Sequence, residues 1–322
     1  MEDNKIDINS LIGFFLIGFI FIGWLWLNPP PSSPVQENIY PETINNDEDK
    51  SKTSNEELSD VLTESIEISK ENEELNLVSS TGSSDDNKIK FETDQFLIEF
   101  SSLGGQISSL QLKNHFNYLG DPVNLINLNN SSFDIDFLTK NGKTFNTKNQ
   151  FFASTLINKG SEKILQMKLN VSDDVFLKYT YTINDNDFVI NLDIESSGFK
   201  NILDTDQEYN LVWELDALRN SKSIDYENRY SYLTFYYDQG KIDYLAVSGE
   251  DEDDEENVNW ISYKQHFFSS VLIPNDLPFK SVSFESENLV EDNSIDTISL
   301  KKFTSKIPFK YINDELDNSL KF

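Results

Sequence analysis

From residue 89 onward, apolar and polar residues alternate in short runs. A period of two places one set of side chains on a buried face and the other set in water, as in antiparallel sheets. The apolar members of the clearest runs are Phe133, Ile135 and Phe137; Leu165, Met167, Leu169 and Val171; Val175, Leu177, Tyr179, Tyr181 and Ile183; Phe188, Ile190, Leu192 and Ile194; and Leu211, Trp213 and Leu215. We therefore predict an all-β fold of antiparallel strands.

Turn-forming residues separate these runs, and further short strands follow them. The turn signals are Asn141-Gly142, Lys159-Gly160, Asn184–Asp187 and Gln239-Gly240. The further strands are expected near 230–237, 258–263, 267–273, 280–286 and 295–303. About a dozen strands at meander spacing indicate a large sandwich. Because strands and helices do not alternate, a dinucleotide-binding fold is not expected.

The N-terminal segment has a different pattern. Residues 11–27 read LIGFFLIGFIFIGWLWL, without a charge. At about 1.5 Å per residue, such a helix just spans a hydrocarbon core of roughly 30 Å. Trp24 and Trp26 lie at its distal end, where indoles favour the headgroup region, and Pro29 ends the helix. We predict one transmembrane helix over residues 11–28.

A cleaved signal peptide is the alternative interpretation of this segment. Signal peptides have a positive n-region and a small-residue cleavage site. Here the first ten residues contain Lys5 against three acids, and the segment ends in Trp-Leu-Asn-Pro. Both departures favour a retained anchor. We expect residues 1–10 to be cytoplasmic and the bulk of the chain to be periplasmic, on an inner (plasma) membrane.

Residues 29–87 contain few large apolar side chains. Between Glu37 and Asp86 there are 15 acids and 3 lysines. Low hydrophobicity with high like charge does not offset the entropy of ordering a chain, so we expect a disordered acidic linker. Leu58, Val61, Leu62 and Ile66 fall at helical spacing, which leaves a partner-binding helix as an alternative.

Composition excludes several function classes. Acidic residues outnumber basic ones 56 to 26, giving a formal net charge of −30. This charge repels nucleic acid, so we expect no nucleic-acid partner. The absence of cysteine excludes disulfides, thiolate metal sites and a cysteine nucleophile.

The candidate chemistry of the body is sparse. His115 and His266 are the only histidines, and they are either a general acid/base pair or packed side chains; the aromatic context of His266 favours packing. Gly104-Gly105 either cradles a phosphate or forms a tight turn, and no helix start follows it, which favours the turn. Glu250–Glu256 is seven consecutive acids, expected at a solvated hairpin tip rather than in a calcium loop.

Arg219 and Arg229 are the only arginines. Aromatic residues flank Arg229, so we expect it to anchor the edge of the core beside an acid; lining a groove is the alternative. No GxSxG, HExxH or P-loop motif is present. We predict no catalytic, cofactor-binding or metal-binding residue.

Five blocks of this sequence, in order, resemble YidC-type membrane protein insertases. They are KIDINSLIGFFLIGFIFIGW, SSLGGQISSLQLKNHFNYLGDPVNLI, NLVWEL, SIDYENRYSYLTFYY and NVNWISYKQHFFSSVLI. The resemblance covers residues 6–27 and about 89–322, which is nearly everything except the linker. The first block is similar to the first transmembrane segment of the family and the others to its large periplasmic domain.

The resemblance implies a mutarotase-like β-supersandwich over residues 88–322 and no enzymatic activity. It also implies a role in inserting and folding inner-membrane proteins, with nascent chains, the Sec translocon and the lipid bilayer as partners. The family's five-helix core and its groove arginine have no counterpart here, since Arg219 and Arg229 lie in the soluble body. We therefore expect an N-terminal piece of an insertase, truncated at the C-terminal end of its sandwich. The alternative is a membrane-tethered carbohydrate-binding or mutarotase-like sandwich.

The topology leads to one prediction. Protease added outside intact spheroplasts should digest the β-sandwich body, because we expect that body to lie beyond the membrane. Immunoblotting against a C-terminal tag measures the digestion. Complete protection of the body, while a known periplasmic marker is degraded, would contradict the predicted orientation.

Overall fold

A computed structural model describes residues 85–127, 129–172 and 174–322. The predicted transmembrane helix over 11–28 lies outside these residues, as does the linker up to residue 84. Within the described residues, no helix is both long enough and apolar enough to cross a membrane. These residues form antiparallel strands with three short helical turns, which confirms the predicted all-β fold class.

The strands follow one another through the described chain. The first nine are β1 (Lys88–Glu92), β2 (Phe96–Ser101), β3 (Gln106–Phe116), β4 (Pro122–Ile126), β5 (Ser131–Leu138), β6 (Thr144–Asn146), β7 (Ala153–Lys159), β8 (Glu162–Ser172) and β9 (Val175–Asn184). The others are β10 (Ile190–Ser197), β11 (Tyr209–Leu218), β12 (Tyr232–Tyr237), β13 (Lys241–Tyr244), β14 (Glu250–Lys264), β15 (Ser269–Pro274), β16 (Phe279–Asn288), β17 (Ser299–Phe309) and β18 (Asp317–Lys321).

Three short helices interrupt the strands. Thr147–Asn149 and Phe199–Asn201 are 3₁₀ turns, and α1 (Ile224–Arg229) is a six-residue α-helix between β11 and β12. The sequence analysis expected no helix in this part of the chain. The Ser223 side chain accepts a hydrogen bond from the Tyr226 backbone at the start of α1, which is an N-cap that a periodicity search over longer windows misses.

The strands form two sheets. β1-β2-β3-β4 is a four-stranded antiparallel meander. The larger, 14-stranded sheet has the order β6-β5-β11-β17-β16-β14-β15-β18-β10-β9-β8-β7, with β12 and β13 branching from β14. Every pairing in both sheets is antiparallel.

The long strand β14 is the position at which the larger sheet divides. Its first part, Glu250–Val258, pairs with β16 and so belongs to the half that contains β17, β11 and β5. Its last part, Ile261–Lys264, pairs with β15, which leads through β18 to β10, β9, β8 and β7. The two halves turn their apolar faces toward one shared core, which gives the sandwich.

Side chains from both halves and from the four-stranded sheet fill this core. Phe133 of β5 packs edge-to-face on Phe322, which follows β18, with ring centroids 5.0 Å apart. Phe100 of β2 packs against Tyr181 of β9 at 4.7 Å. The alternating residues predicted to be buried are buried, except Val171 and Val175, which are partly buried, and Phe188, which is exposed.

Two sequence predictions about this region are wrong. Phe188 was expected in the strand of Ile190, but it precedes β10 and is half exposed, because the turn after Asn184 extends further than the alternation suggests. The acidic run Glu250–Glu256 was expected at a hairpin tip, but it lies inside β14 and pairs with β16. Most of its side chains are exposed, so water solvates their charges within the strand.

Gly104 and Gly105 form the tight turn between β2 and β3, as predicted. Their φ angles are 79° and 63°, a region that favours glycine. The carbonyl of Gly105 accepts a hydrogen bond from the Tyr181 hydroxyl at 2.8 Å. A Cβ on Gly105 would lie 3.0 Å from the Phe152 ring. The turn is thus packed into the core, where it joins the small sheet to the large one.

Lys301 is buried on β17, although most lysines remain in water. Its ammonium group donates to the backbone carbonyl of Val247, and no carboxylate pairs with it among the described ion pairs. Burial disfavours the charged form and lowers the pKa of Lys301 to about 8. The unfolded chain keeps the ordinary, higher pKa of a lysine.

This difference predicts a pH dependence of stability. Between about pH 8 and pH 10.5 the folded protein has released the Lys301 proton while the unfolded chain still binds it, so stability rises with pH. Lys301→Met should remove about 1–3 kcal/mol of that rise relative to wild type. Urea unfolding at several pH values measures the effect.

Lys302→Met is the matched control. The Lys302 side chain is 43% exposed, and its ammonium group lies 3.8 Å from a Glu214 carboxylate oxygen. This substitution should leave the pH dependence unchanged. Parallel pH profiles for wild type and Lys301→Met would contradict the prediction.

Candidate functional site

A largely apolar cleft of about 390 Å³ lies between the small sheet and the large one. One wall is β3, from Gln106 to His115, together with Phe96 of β2. The other wall comes from β5, β11, β15 and the residue after β18. We call this feature the apolar cleft.

Trp213 and Tyr263 fix the inner wall of the apolar cleft. Trp213 of β11 lines the cleft, and its ring stacks on Tyr263 of β14 with centroids 3.8 Å apart. The Tyr263 hydroxyl donates to the Trp213 carbonyl at 2.8 Å and lies 2.9 Å from the hydroxyl of Ser305. Burial raises the pKa of Tyr263 well above its ordinary value, so the hydroxyl stays protonated as a donor.

Aromatic side chains form the rim of the apolar cleft. The His115 ring packs edge-on against Phe188 and Phe268, at 6.5 Å and 5.8 Å. Phe267, next to Phe268, is 71% exposed. The exposed side of the cleft is therefore apolar rather than charged.

The lining contains no Asp, Glu, Lys or Arg among its described residues. Its few polar groups are largely engaged within the protein. The side-chain Oε1 of Gln106 accepts from the Phe133 backbone N–H at 2.8 Å, and the Ser131 hydroxyl donates to the Glu214 backbone carbonyl at 2.9 Å. Such a site can bind an apolar ligand, but its described lining shows no nucleophile hydrogen-bonded to a base.

Comparison with known proteins decides the family of this chain. The sequence model of the YidC periplasmic domain matches residues 88–306. The chain belongs to the YidC family. The match begins at the first residue of β1 and ends inside β17, so it covers the described lining of the apolar cleft except Phe322.

Relatives extend the match. The membrane protein insertase YidC of Parabacteroides distasonis is 25% identical over 327 residues, covering 97% of this chain and 51% of the relative. That of Azobacteroides pseudotrichonymphae is 28% identical over 315 residues, covering 96% of this chain and 48% of the relative. The chain thus spans about half the length of the curated relatives it matches.

Among solved structures, a galactose mutarotase related enzyme from Lactobacillus acidophilus is similar to the described fold. The match has a TM-score of 0.41 and 10% identity, and it covers 73% of this chain and 96% of that one. At this TM-score the likeness carries no conclusion about what this YidC family member binds.

The two histidines of this YidC family member lie in separate aromatic clusters. His115 contacts Phe188 and Phe268, whereas His266 packs on Phe267, Tyr226 and Tyr230. His266 is packed, as expected, and its buried Nδ1 atom has no hydrogen-bond partner among the described residues. The two rings have no aromatic neighbour in common.

The expectation that Arg229 anchors the edge of the core is wrong. Arg229, expected at the edge of the core, is exposed on α1 and pairs with Asp225 at 2.8 Å. Arg219 is the sequestered one: its side chain is 8% exposed, pairs with Asp296 and lies over the Tyr118 ring at 4.6 Å. Neither arginine lines the apolar cleft.

A buried carboxylate, missed by the sequence analysis, organises the corner that holds Arg219. Both Glu227 oxygens accept from the Asn220 backbone, at 2.9 and 3.0 Å, and one accepts from Ser221 at 2.7 Å. Burial raises the pKa of Glu227 and is the largest influence on it, although these hydrogen bonds oppose the rise. Glu227 therefore closes a loop and is not free for chemistry.

Within the described residues, no group of three His, Cys, Asp or Glu side chains is arranged to hold a metal ion. The apolar cleft itself was missed, because its walls come from strands far apart in sequence. One feature of the sequence indicated an exposed apolar surface. Phe267 and Phe268 are adjacent, and neighbouring side chains of a strand point to opposite faces, so one sheet face cannot bury both.

Proposed function

We propose that this chain is the membrane-anchored, outward-facing part of a membrane protein insertase. In this proposal the β-sandwich takes part in inserting and folding inner-membrane proteins through contacts with polypeptide, not through catalysis. The observation that carries it is the family match over residues 88–306, together with relatives that align over nearly the whole chain.

The arrangement at the membrane is part of the same proposal. Residues 11–28 cross the inner membrane, residues 1–10 stay in the cytoplasm, and residues 88–322 fold in the periplasm. The composition supports this placement, since the chain has an uncharged apolar segment before a strongly acidic body. The acidic stretch 29–87 then acts as the tether between bilayer and sandwich.

Nascent inner-membrane proteins and the Sec translocon are the proposed partners. The absence of charge from the lining of the apolar cleft supports a contact role, because a hydrophobic client offers no charge to recognise. A sugar would need clustered polar groups to pair with its hydroxyls. The described lining offers mainly aromatic and aliphatic side chains, which favours the insertase proposal over carbohydrate binding.

A chimera tests the proposed function. This chain would replace the aligned half of the Parabacteroides distasonis insertase, expressed in cells depleted of their own insertase. Protease protection of a single-span client measures insertion. We expect the chimera to insert the client at a rate comparable to the parent, and the chain expressed alone to insert none.

A second chimera carries an unrelated membrane-anchored β-sandwich. It tests whether the first chimera inserts the client only because its sandwich fills the same space. A folded and correctly localised first chimera that inserts no better than this control would contradict the proposed function. Insertion by the chain alone would also contradict it, because the activity would then need no other part.

A further inference from the structure

The hairpin of β12 and β13, together with the end of β14, presents one face rich in aromatic side chains. In antiparallel strands, residues that lie opposite each other point to the same face. Tyr236 lies opposite Ile242 of β13 and Trp260 of β14, and Thr234 lies opposite Tyr244. We call this surface the aromatic face. Its large side chains are Tyr232, Tyr236, Ile242, Tyr244 and Trp260.

The aromatic face points away from the core. Leu233 and Phe235, which alternate with its members on β12, are fully buried, and the Phe235 ring stacks on Phe284 of β16 at 4.2 Å. In contrast, Ile242 is 65% exposed and Tyr244 is 58% exposed. The other large side chains of the face are partly exposed. None of them lines the apolar cleft, so the aromatic face is a separate surface.

The rings of the aromatic face are held in pairs across the strands. Tyr236 and Trp260 stack nearly parallel, with centroids 6.0 Å apart, and Tyr232 packs against Tyr244 at 5.3 Å. Such cross-strand pairs stabilise the sheet and restrict the rotation of their side chains. A partner that covers them therefore orders little that is not already ordered, which lowers the entropic cost of contact.

Charge is almost absent from the aromatic face, although the chain has a net charge of −30. Its polar members at the paired positions are Thr234, Ser262 and Lys264, and none of the paired positions on this face holds an acid. The Lys264 ammonium group lies 4.6 Å from the centre of the Tyr232 ring and donates to the Tyr230 carbonyl at 3.1 Å. The face therefore suits a partner that is recognised without charge.

The side-chain types favour a lipid surface as that partner. Tyrosine and tryptophan combine an apolar ring with a polar tip, and this combination is favoured where lipid headgroups meet acyl chains. Exposed apolar patches on a folded domain mark contacts with proteins or with membranes. The three tyrosines, Trp260 and Ile242 provide such a patch on the outside of the sheet.

The proposed tether keeps a bilayer within reach of this patch. A flexible chain of the length of residues 29–87 has a root-mean-square end-to-end distance of about 40–45 Å. A surface held this close is present at a high effective concentration, so a weak interfacial affinity is enough for docking. No comparable tether holds a soluble protein or a glycan beside the aromatic face.

We propose that the aromatic face docks the β-sandwich on the headgroup region of the bilayer that anchors the chain. This inference rests on the membrane arrangement in the proposed function and adds a second, reversible membrane contact to it. The contact is made by the rings and not by charge, because Lys264 is the one cation of the face and the net charge of −30 repels anionic headgroups. Docking would fix which side of the sandwich faces the membrane.

Site-directed spin labelling of the full chain tests this docking. The chain contains no cysteine, so a single introduced cysteine takes the nitroxide. Ile242→Cys is labelled and reconstituted in phosphatidylcholine nanodiscs. Electron paramagnetic resonance then measures collisions with oxygen, which concentrates in lipid, and with a neutral nickel chelate, which stays in water.

We expect the ratio of oxygen to nickel collisions to be several-fold higher at residue 242 than at residue 156, because side chains that enter the interface lie about 5–10 Å into the headgroup boundary. Leu156→Cys is the matched control, since Leu156 is 44% exposed and lies on β7, at the end of the strand order. About 1 M salt should leave the ratio at residue 242 unchanged, because a Debye length of about 3 Å screens Lys264 but does not affect the rings.

Tyr244→Ser, combined with Ile242→Cys, tests the face itself. Tyr244 is exposed on β13, which pairs only with β12, so the fold should tolerate the loss of the ring. We expect the collision ratio at residue 242 to fall several-fold, whereas Tyr244→Trp should preserve it, because an indole also favours the interface. Leu156→Ser in the same labelled background should leave the ratio unchanged.

Several outcomes would overturn the inference. Equal ratios at residues 242 and 156 would show that the face does not meet lipid. A decrease of both collision rates at residue 242 would show a polypeptide cover, such as a second copy of the chain. The same decrease only after addition of soluble N-acetylglucosamine oligomers would assign the face to glycans. A chimera that inserts clients normally while the ratios stay equal would refute this inference alone and leave the proposed function standing.

Discussion

The contact between Tyr263 and Trp213 is the interaction on which the rest of the structure depends. Tyr263 lies on β14, the strand shared by the two halves of the large sheet. Its ring stacks on Trp213, and its hydroxyl donates to the Trp213 backbone. Because the sheet divides beside this residue, the contact sets how the halves face each other. It thereby determines the wall of the apolar cleft.

A strongly acidic protein thus encloses an uncharged cleft. Most of its described acids are exposed or partly exposed, where water and neighbouring lysines stabilise them, as Lys306 does for Glu285; Asp134 and Glu227 are buried. The aromatic rim of the cleft is left as an apolar surface that the fold does not cover itself. A member of an insertase family would meet hydrophobic polypeptide at such a surface, which is why we place its function in contact rather than in chemistry.

Much of the fold could be predicted from the sequence, because a period of two is a local property. Leu177, Tyr179 and Tyr181 are buried as their alternation predicts. Features that depend on distant residues could not be predicted. Lys301 is buried where it contacts Val247, 54 residues away in sequence, and the apolar cleft joins β3 to β15 across more than half of the described chain. The recognisable blocks indicated the family, but no local pattern marks the cleft.

The most direct test of this account is the stability of Tyr263→Phe, measured by urea unfolding. The substitution keeps the ring that stacks on Trp213 but removes the donor to its carbonyl, so we expect a loss of about 1–3 kcal/mol in one cooperative transition. Tyr244→Phe, at a side chain that is 58% exposed, should leave the stability unchanged. Equal stability of Tyr263→Phe and wild type would contradict the claim that this contact holds the two halves together.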